Sequence, residues 1–219
     1  IETYDLSNWR VAGIGAEMIR PQTLEHFAEM MGPAGFDRRA FLACYGMAEC
    51  VLAVSFAPIN LGLSVDHVDL QIMNDSGRAV PVDAESENAV HYADCGVLLP
   101  GFEFSIRDEN NHEVGARQCG EIFLRGPSVM SGYFQNDVAT RAVLGEDGWL
   151  DTGDIGYRID NHLVITSRSK DVIIIKGHNH YPQDIEASVE ECHPSLRPAA
   201  CAAFSAQDGN DEKLVLAVE

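Results

Sequence analysis

Lysine is scarce, and basic charge is outnumbered by acid. Lys170, Lys176 and Lys213 are the three lysines in 219 residues, and 15 Lys+Arg stand against 34 Asp+Glu, a formal net charge of −19. A chain this acidic repels phosphate backbones, so no nucleic-acid partner is expected. Anionic membrane is disfavoured for the same reason. No apolar run approaches the roughly 20 residues of a membrane span. Cys44, Cys50, Cys95, Cys119, Cys192 and Cys201 form no CxxC pair and no zinc spacing. Several sit in apolar stretches, where a free thiol packs as a small hydrophobe. The expected compartment is therefore reducing and cytoplasmic, with no disulfide framework. No stretch resembles a secretory leader, and the chain opens on Ile1 rather than Met. Residues 1–5 read as the middle of something, so a fragment or a processed chain is expected.

What is present is ordinary globular material, 46% hydrophobic and 22% charged. At roughly 100–200 residues per domain, the length allows one large domain or two small ones. Two of the three lysines fall with Arg168 inside residues 168–176. In so acidic a chain that cluster could seat a small anion, although a solvated basic face accounts for it equally well.

The first segment alternates strand and helix. Trp9-Arg10-Val11-Ala12 reads as a short strand ending in Gly13-Ile14-Gly15. Pro21 suits a first helical turn. Leu24, Phe27, Ala28 and Met31 then lie on one apolar face, and Gly32-Pro33 stops the helix. Phe41-Leu42-Ala43-Cys44 reads as a buried strand, and strand–helix–strand implies a parallel crossover in an α/β fold. From about residue 60 short strands alternate with turns: 103–107, 120–125 and 162–166. That pattern predicts an antiparallel sheet or a small barrel. Residues 172–175 form an apolar strand. Tyr181-Pro182 opens a helix through about Cys192, and Ala199 to Phe204 and Leu214 to Val218 predict two more strands.

Three strings carry chemistry. Tyr45-Gly46-Met47-Ala48-Glu49 follows a buried strand, where open parallel sheets bind ligands. Gly46 permits a tight turn, Tyr45 can lie against a ring, and Glu49 is an oxygen donor suited to Mg²⁺. A strand-to-helix turn with an exposed Glu explains the same string. Asp151-Thr152-Gly153-Asp154 offers two carboxylates that could accept from ribose hydroxyls, or a plain Asp-Gly turn. Arg168, just before the apolar strand, supplies planar donors for ribose or phosphate oxygens at a junction that could hinge. A charged loop between strands is the plainer account.

Taken in order, Gly15-Ala16-Glu17, Tyr45 to Glu49, Gly120-Glu121 with Arg125-Gly126-Pro127 and Gly132-Tyr133, Thr152-Gly153-Asp154, and residues 168–177 resemble the adenylate-forming superfamily of acyl-CoA synthetases, luciferases and adenylation domains. Asn179-His180-Tyr181-Pro182-Gln183-Asp184-Ile185-Glu186 is similar to the fatty acyl-AMP ligases, as are Ala48 and the 47-position connection from Glu49 to Gly96.

The resemblance implies a fold and a set of roles. The fold would comprise the end of a mixed α/β subdomain over 1–60, a β-barrel-like subdomain over 61–168, and the start of a small α+β domain over 169–219. The activity would be formation of acyl-AMP from a fatty acid and ATP, with Mg²⁺, for transfer to an acyl carrier protein. Gly15, Ala16 and Glu17 would lie near the adenine, bordered by Tyr45, Gly46, Met47 and Ala48, with Ile165 packed on it. Glu49 would hold Mg²⁺. Asp154 would accept from the ribose hydroxyls with Arg168 close by, and Lys170 matches the hinge of the small domain. The chain departs from the pattern at Gly13-Ile14 and Val97. It holds neither a phosphate loop nor the late catalytic lysine, so these 219 residues alone are expected to be inactive. A long-chain acyl-CoA synthetase, or a non-catalytic module that binds nucleotide or carrier, stays open. His178 and His180 lack a companion ligand at metal spacing.

Overall fold

The computed structural model describes residues 4–175, 178–193, 195–196, 200–208 and 211–219. Lys176, Gly177, Ala199 and the side chains of His178 and Asn179, which figure in the expectations above, lie outside the described residues.

β1 (Ala12–Ile14) and β2 (Phe41–Gly46) pair in parallel, with Ala12 opposite Phe41, and α1 (Pro21–Met31) crosses between them. Pro21 occupies the first turn, where the missing N–H costs nothing. The helix passes into a 3-10 turn over Gly32–Ala34 and ends at Gly35, whose φ of +87° suits glycine. The first strand therefore starts three residues later than the pattern predicts. The aromatic side chain of Trp9 is drawn instead edge-to-face onto Phe27 and Phe36, with centroids at 6.3 and 5.5 Å, in a cluster that Phe41 joins at a tilt.

The sheet then turns antiparallel. It comprises β3 (Ala53–Phe56), β4 (Val65–Asp69), β5 (Ala89–Leu98), β6 (Glu103–Arg107), β7 (Gly120–Arg125), β8 (Leu150–Ile159) and β9 (His162–Arg168). The strand order is β1-β2-β3-β5-β9-β8-β7-β6, with β4 branching from β5. The mixed α/β class is as expected, but the barrel-like closure is not: this path is open, with β1 and β6 at its ends. β5 is the cause. Its first half pairs with β4 and its last residues with β3, so the sheet forks there rather than curling shut. The same pairing of β3 with β5 joins strands from before and after residue 60 in one sheet.

Ile106, Ile122, Leu124, Leu150 and Leu163 fill the core beneath the antiparallel strands. Each such side chain contributes about 1.5–3 kcal/mol on burial. A second cluster joins Val68 of β4 and Met73 of α2 (Leu70–Ser76) to Tyr92, Tyr157 and Tyr181. α3 (Asp137–Val143) packs near β8. Beyond β9 lie β10 (Ile173–Ile175), β11 (His178–His180), α4 (Pro182–Glu191) and the hairpin of β12 (Cys201–Asp208) and β13 (Asp211–Val218). Arg20 grips α4 through Glu190 at 2.9 Å and Glu186 at 3.5 Å. Among the described residues, no helix is long and apolar enough to cross a membrane.

Candidate active site

A cavity of about 440 Å³ opens where β2, β5, β8 and β9 meet α4. Strand alternation sets one wall: Ile165 and Ser167 stand on one face of β9, and Ala93 and Cys95 on the matching face of β5. Tyr45 comes from the end of β2. Gly46 follows it because the chain doubles back there; a Cβ at 46 would lie 1.9 Å from the Leu52 carbonyl oxygen. Gly15 is likewise confined, with a Cβ falling 2.6 Å from the Cys44 carbonyl oxygen, so it shapes the wall without lining it. Ala16, in the left-handed region at φ +71°, turns the chain so that it and Glu17 border the opening.

Asp154 is the central acid. It is 5% exposed. The Tyr45 hydroxyl donates to its Oδ2 at 2.6 Å, and Arg168 Nε lies 3.3 Å from its Oδ1. Burial pushes the Asp154 carboxyl above its ordinary value, and the Tyr45 hydrogen bond and the Arg168 charge pull against that. The charges of Asp151 and Glu49 add to the upward push. Burial, then the Asp154 charge, raises the Tyr45 phenol as well, so it stays a donor.

The expected site residues divide. Ala16, Glu17, Tyr45, Gly46, Asp154, Ile165 and Arg168 share the cavity wall. Met47 packs against the core beside it. Ala48 and Glu49 lie in the 3-10 turn after β2, where Glu49 Oε1 accepts from the Tyr133 hydroxyl at 2.7 Å. Lys170 is exposed, in the turn between β9 and β10. Sequence reasoning missed Arg20, Ser167 and Gln183, which also line the cavity. The period-2 alternation of β9 would have put Ser167 beside Ile165. Gln183 stands in the string 179–186 that resembles the fatty acyl-AMP ligases, but nothing in that string aims it at this cavity, because the fold brings it in from α4.

Residues 1–134 match the AMP-binding enzyme family. The chain belongs to that family. A second family, the AMP domain of the Disco-interacting protein 2-like group, matches over residues 170–219. A protein of Caulobacter vibrioides named as a candidate acyl-CoA synthetase is 43% identical over 100% of this chain and 38% of its own length. A medium-chain fatty acid–acyl carrier protein ligase of Moorena producens is 37% identical over 98% of this chain and 38% of its own. A structure from a study of fatty acyl-adenylate ligases of E. coli and L. pneumophila superposes with a TM-score of 0.90 at 43% identity, covering 98% of this chain and 38% of that one. The expected kinship with the fatty acyl-AMP ligases is thus borne out in sequence and in fold. The chain spans 38% of the length of the first two relatives.

Proposed function

We propose that the protein activates a fatty acid with ATP, giving acyl-AMP and pyrophosphate, and delivers the acyl group to an acyl carrier protein. The observation that carries this reading is the buried Asp154, gripped by Tyr45 and Arg168 on the wall of a nucleotide-sized cavity. An ionised carboxylate has about four lone-pair sites. Tyr45 takes one by hydrogen bond and Arg168 is ion-paired beside another, which leaves two for the vicinal hydroxyls of a ribose. Ile165 and Tyr45 offer apolar and aromatic surface to the adenine, with Gly15, Ala16, Glu17, Gly46, Met47 and Ala48 around it.

The cavity suits such a ligand in a second respect: Ser167 Oγ and Gln183 Oε1 are buried on its wall without a partner. Glu49 fits a divalent cation, since Mg²⁺ keeps several waters and needs only one or two carboxylates besides phosphate oxygens. The charge of Glu49 is felt at Asp154, so the two acids belong to one electrostatic neighbourhood. Mg²⁺ held there would neutralise phosphate charge.

In the first step a carboxylate oxygen attacks the α-phosphorus; an O–P bond forms and the P–O bond to pyrophosphate breaks. Asp154 and Tyr45 fix the ribose so that the α-phosphate meets the carboxylate in line, and Arg168 offsets negative charge. Lys170 serves as the hinge between the sheet, through residue 168, and the smaller part from 169 onward. A cytoplasmic setting is part of this reading.

The name of the Caulobacter vibrioides relative favours a second reading, transfer to free coenzyme A. Full-length protein supplied with ATP, Mg²⁺ and a fatty acid should release pyrophosphate and load carrier protein without making acyl-CoA. Acyl-CoA as the main product would select the second reading, and nucleotide binding without pyrophosphate release would leave a binding module.

A further inference from the structure

Among the described residues, four buried side-chain polar atoms lack a hydrogen-bond partner, and two of them line the same cavity: Ser167 Oγ and Gln183 Oε1. An unmet buried polar group costs about what a lost hydrogen bond does, so a pair of them on one cavity wall marks a place for a ligand's polar atoms. Ser167 is 1% exposed, so bulk water does not satisfy it. It immediately precedes Arg168 on β9 and is paired with Ile155, the neighbour of Asp154. Gln183 arrives from elsewhere. It sits in the first turn of α4, just after Pro182, and α4 is held to the body by Arg20, which lines the cavity too.

We propose that Ser167 and Gln183 are further ligand-binding residues of this cavity, hydrogen-bonding a purine nucleotide held against Asp154, and that the bond to Gln183 makes occupancy of the cavity hold α4 in place. The proposal rests on the nucleotide reading above. Chemically, the unmet end of Gln183 is its amide oxygen, which can accept from an exocyclic amine, and Ser167 presents a hydroxyl that donates or accepts. Because Gln183 and Ser167 belong to elements on either side of the turn at 169–171, a ligand touching both bridges that turn.

The test uses full-length protein, with ATP and AMP as the probes, and the variants Ser167→Ala and Gln183→Met. Met keeps the length of Gln and its helix propensity but has no amide. Without nucleotide, both variants should melt at or above the parent temperature, because each removes a buried polar atom that has no partner. With nucleotide, each should bind ATP about three- to tenfold more weakly, the scale of one hydrogen bond. Hydrogen exchange separates the two roles: ATP should protect the amides of α4 in the parent and in Ser167→Ala, and should fail to do so in Gln183→Met. Unchanged affinity in both variants, with the parent binding normally, overturns the proposal and leaves the nucleotide reading standing. Equal protection of α4 in Gln183→Met overturns the coupling to α4. A parent that binds neither ATP nor AMP overturns the nucleotide reading and this proposal together.

Discussion

Asp154 and Arg168 are paired twice, once by strand register between β8 and β9 and once by their side chains at 3.3 Å. The backbone pairing fixes where each side chain begins, so the ion pair does not have to order two free chains. Arg168 is nonetheless 67% exposed at its side chain while Asp154 is buried. An ion pair open to solvent on one side is worth little to folding. Its value lies in presenting a positive group next to a desolvated carboxylate.

Tyr45→Phe should therefore matter more than Arg168→Ala for the state of Asp154. The Tyr45 hydroxyl is the closer partner and is itself buried. Hydrogen bonds to charged groups contribute about 1.5–3 kcal/mol. Loss of this one should weaken ATP binding by tenfold or more and raise the Asp154 pKa further. Titration of ATP against parent, Tyr45→Phe and Asp154→Ala measures this, and the last should bind weakest. Parent-like affinity in Asp154→Ala would remove the carboxylate from the ligand site.

Asp66→Ala should destabilise the fold. Asp66 accepts from Arg117 at 2.9 and 3.1 Å and from the Tyr157 hydroxyl at 2.6 Å, and Tyr157 is fully buried. Removing the acid strands the Tyr157 phenol and leaves the Arg117 guanidinium only its bond to the Ala79 carbonyl at 3.2 Å, at a cost of about 3 kcal/mol. Chemical denaturation of both proteins checks the figure. A change under about 0.5 kcal/mol, the level of an ordinary surface substitution, would mean that β4 is not anchored to β8 through this acid.

Stability should fall as pH rises toward neutrality, through Asp184. Burial pushes its carboxyl up to about 7, against the pull of the Tyr92 hydroxyl at 3.5 Å. The folded pKa is above the unfolded one, so the folded protein keeps a proton that the unfolded chain gives up. The contribution is full below about pH 4 and is lost as pH rises through about 7, at up to about 1.4 kcal/mol per unit. Tyr92, Tyr181 and His180 lie around the acid, and the two phenols stay neutral in this window because burial raises both. Melting curves from pH 5 to 8 should slope downward in the parent and flatten in Asp184→Asn. A parallel slope in the variant would assign the effect to another group.

Much of this site is written locally, and the rest depends on distance along the chain. The α1 face of Leu24, Phe27, Ala28 and Met31 and the apolar run of β2 are periodic signals, and both elements form as the pattern requires. Tyr45 and Asp154 stand out as residue types in a recognisable order, and their bond joins positions 109 residues apart. Closure of the sheet was a different matter: short alternating strands fit a barrel and an open sheet equally, and only the double pairing of β5 decides between them. Trp9 misled for a related reason, because an aromatic residue with strand propensity was claimed by the phenylalanine cluster.

Lys170→Pro should separate the two half-reactions. Lys170 sits in a turn closed on either side, by the Ser169 amide donating to the Gly153 carbonyl at 2.9 Å and the Asp171 amide donating to Arg168 at 3.1 Å. Arg168 and Asp171 both line the cavity, so the turn joins the ligand site directly to the segment that leads into β10 and α4. A rotation here must change φ and ψ at one or two residues. Proline locks φ near −65° and drives the preceding Ser169 away from the helical region. The arrangement that the turn favours should survive the substitution, and any other should become hard to reach. Acyl-AMP formation and carrier loading, measured separately in Lys170→Pro and Lys170→Ala, should then show one step largely kept and the other reduced in the proline variant, with the alanine variant mild in both. Proportional loss of both steps in Lys170→Pro, with an unchanged melting temperature, would move the hinge away from residue 170.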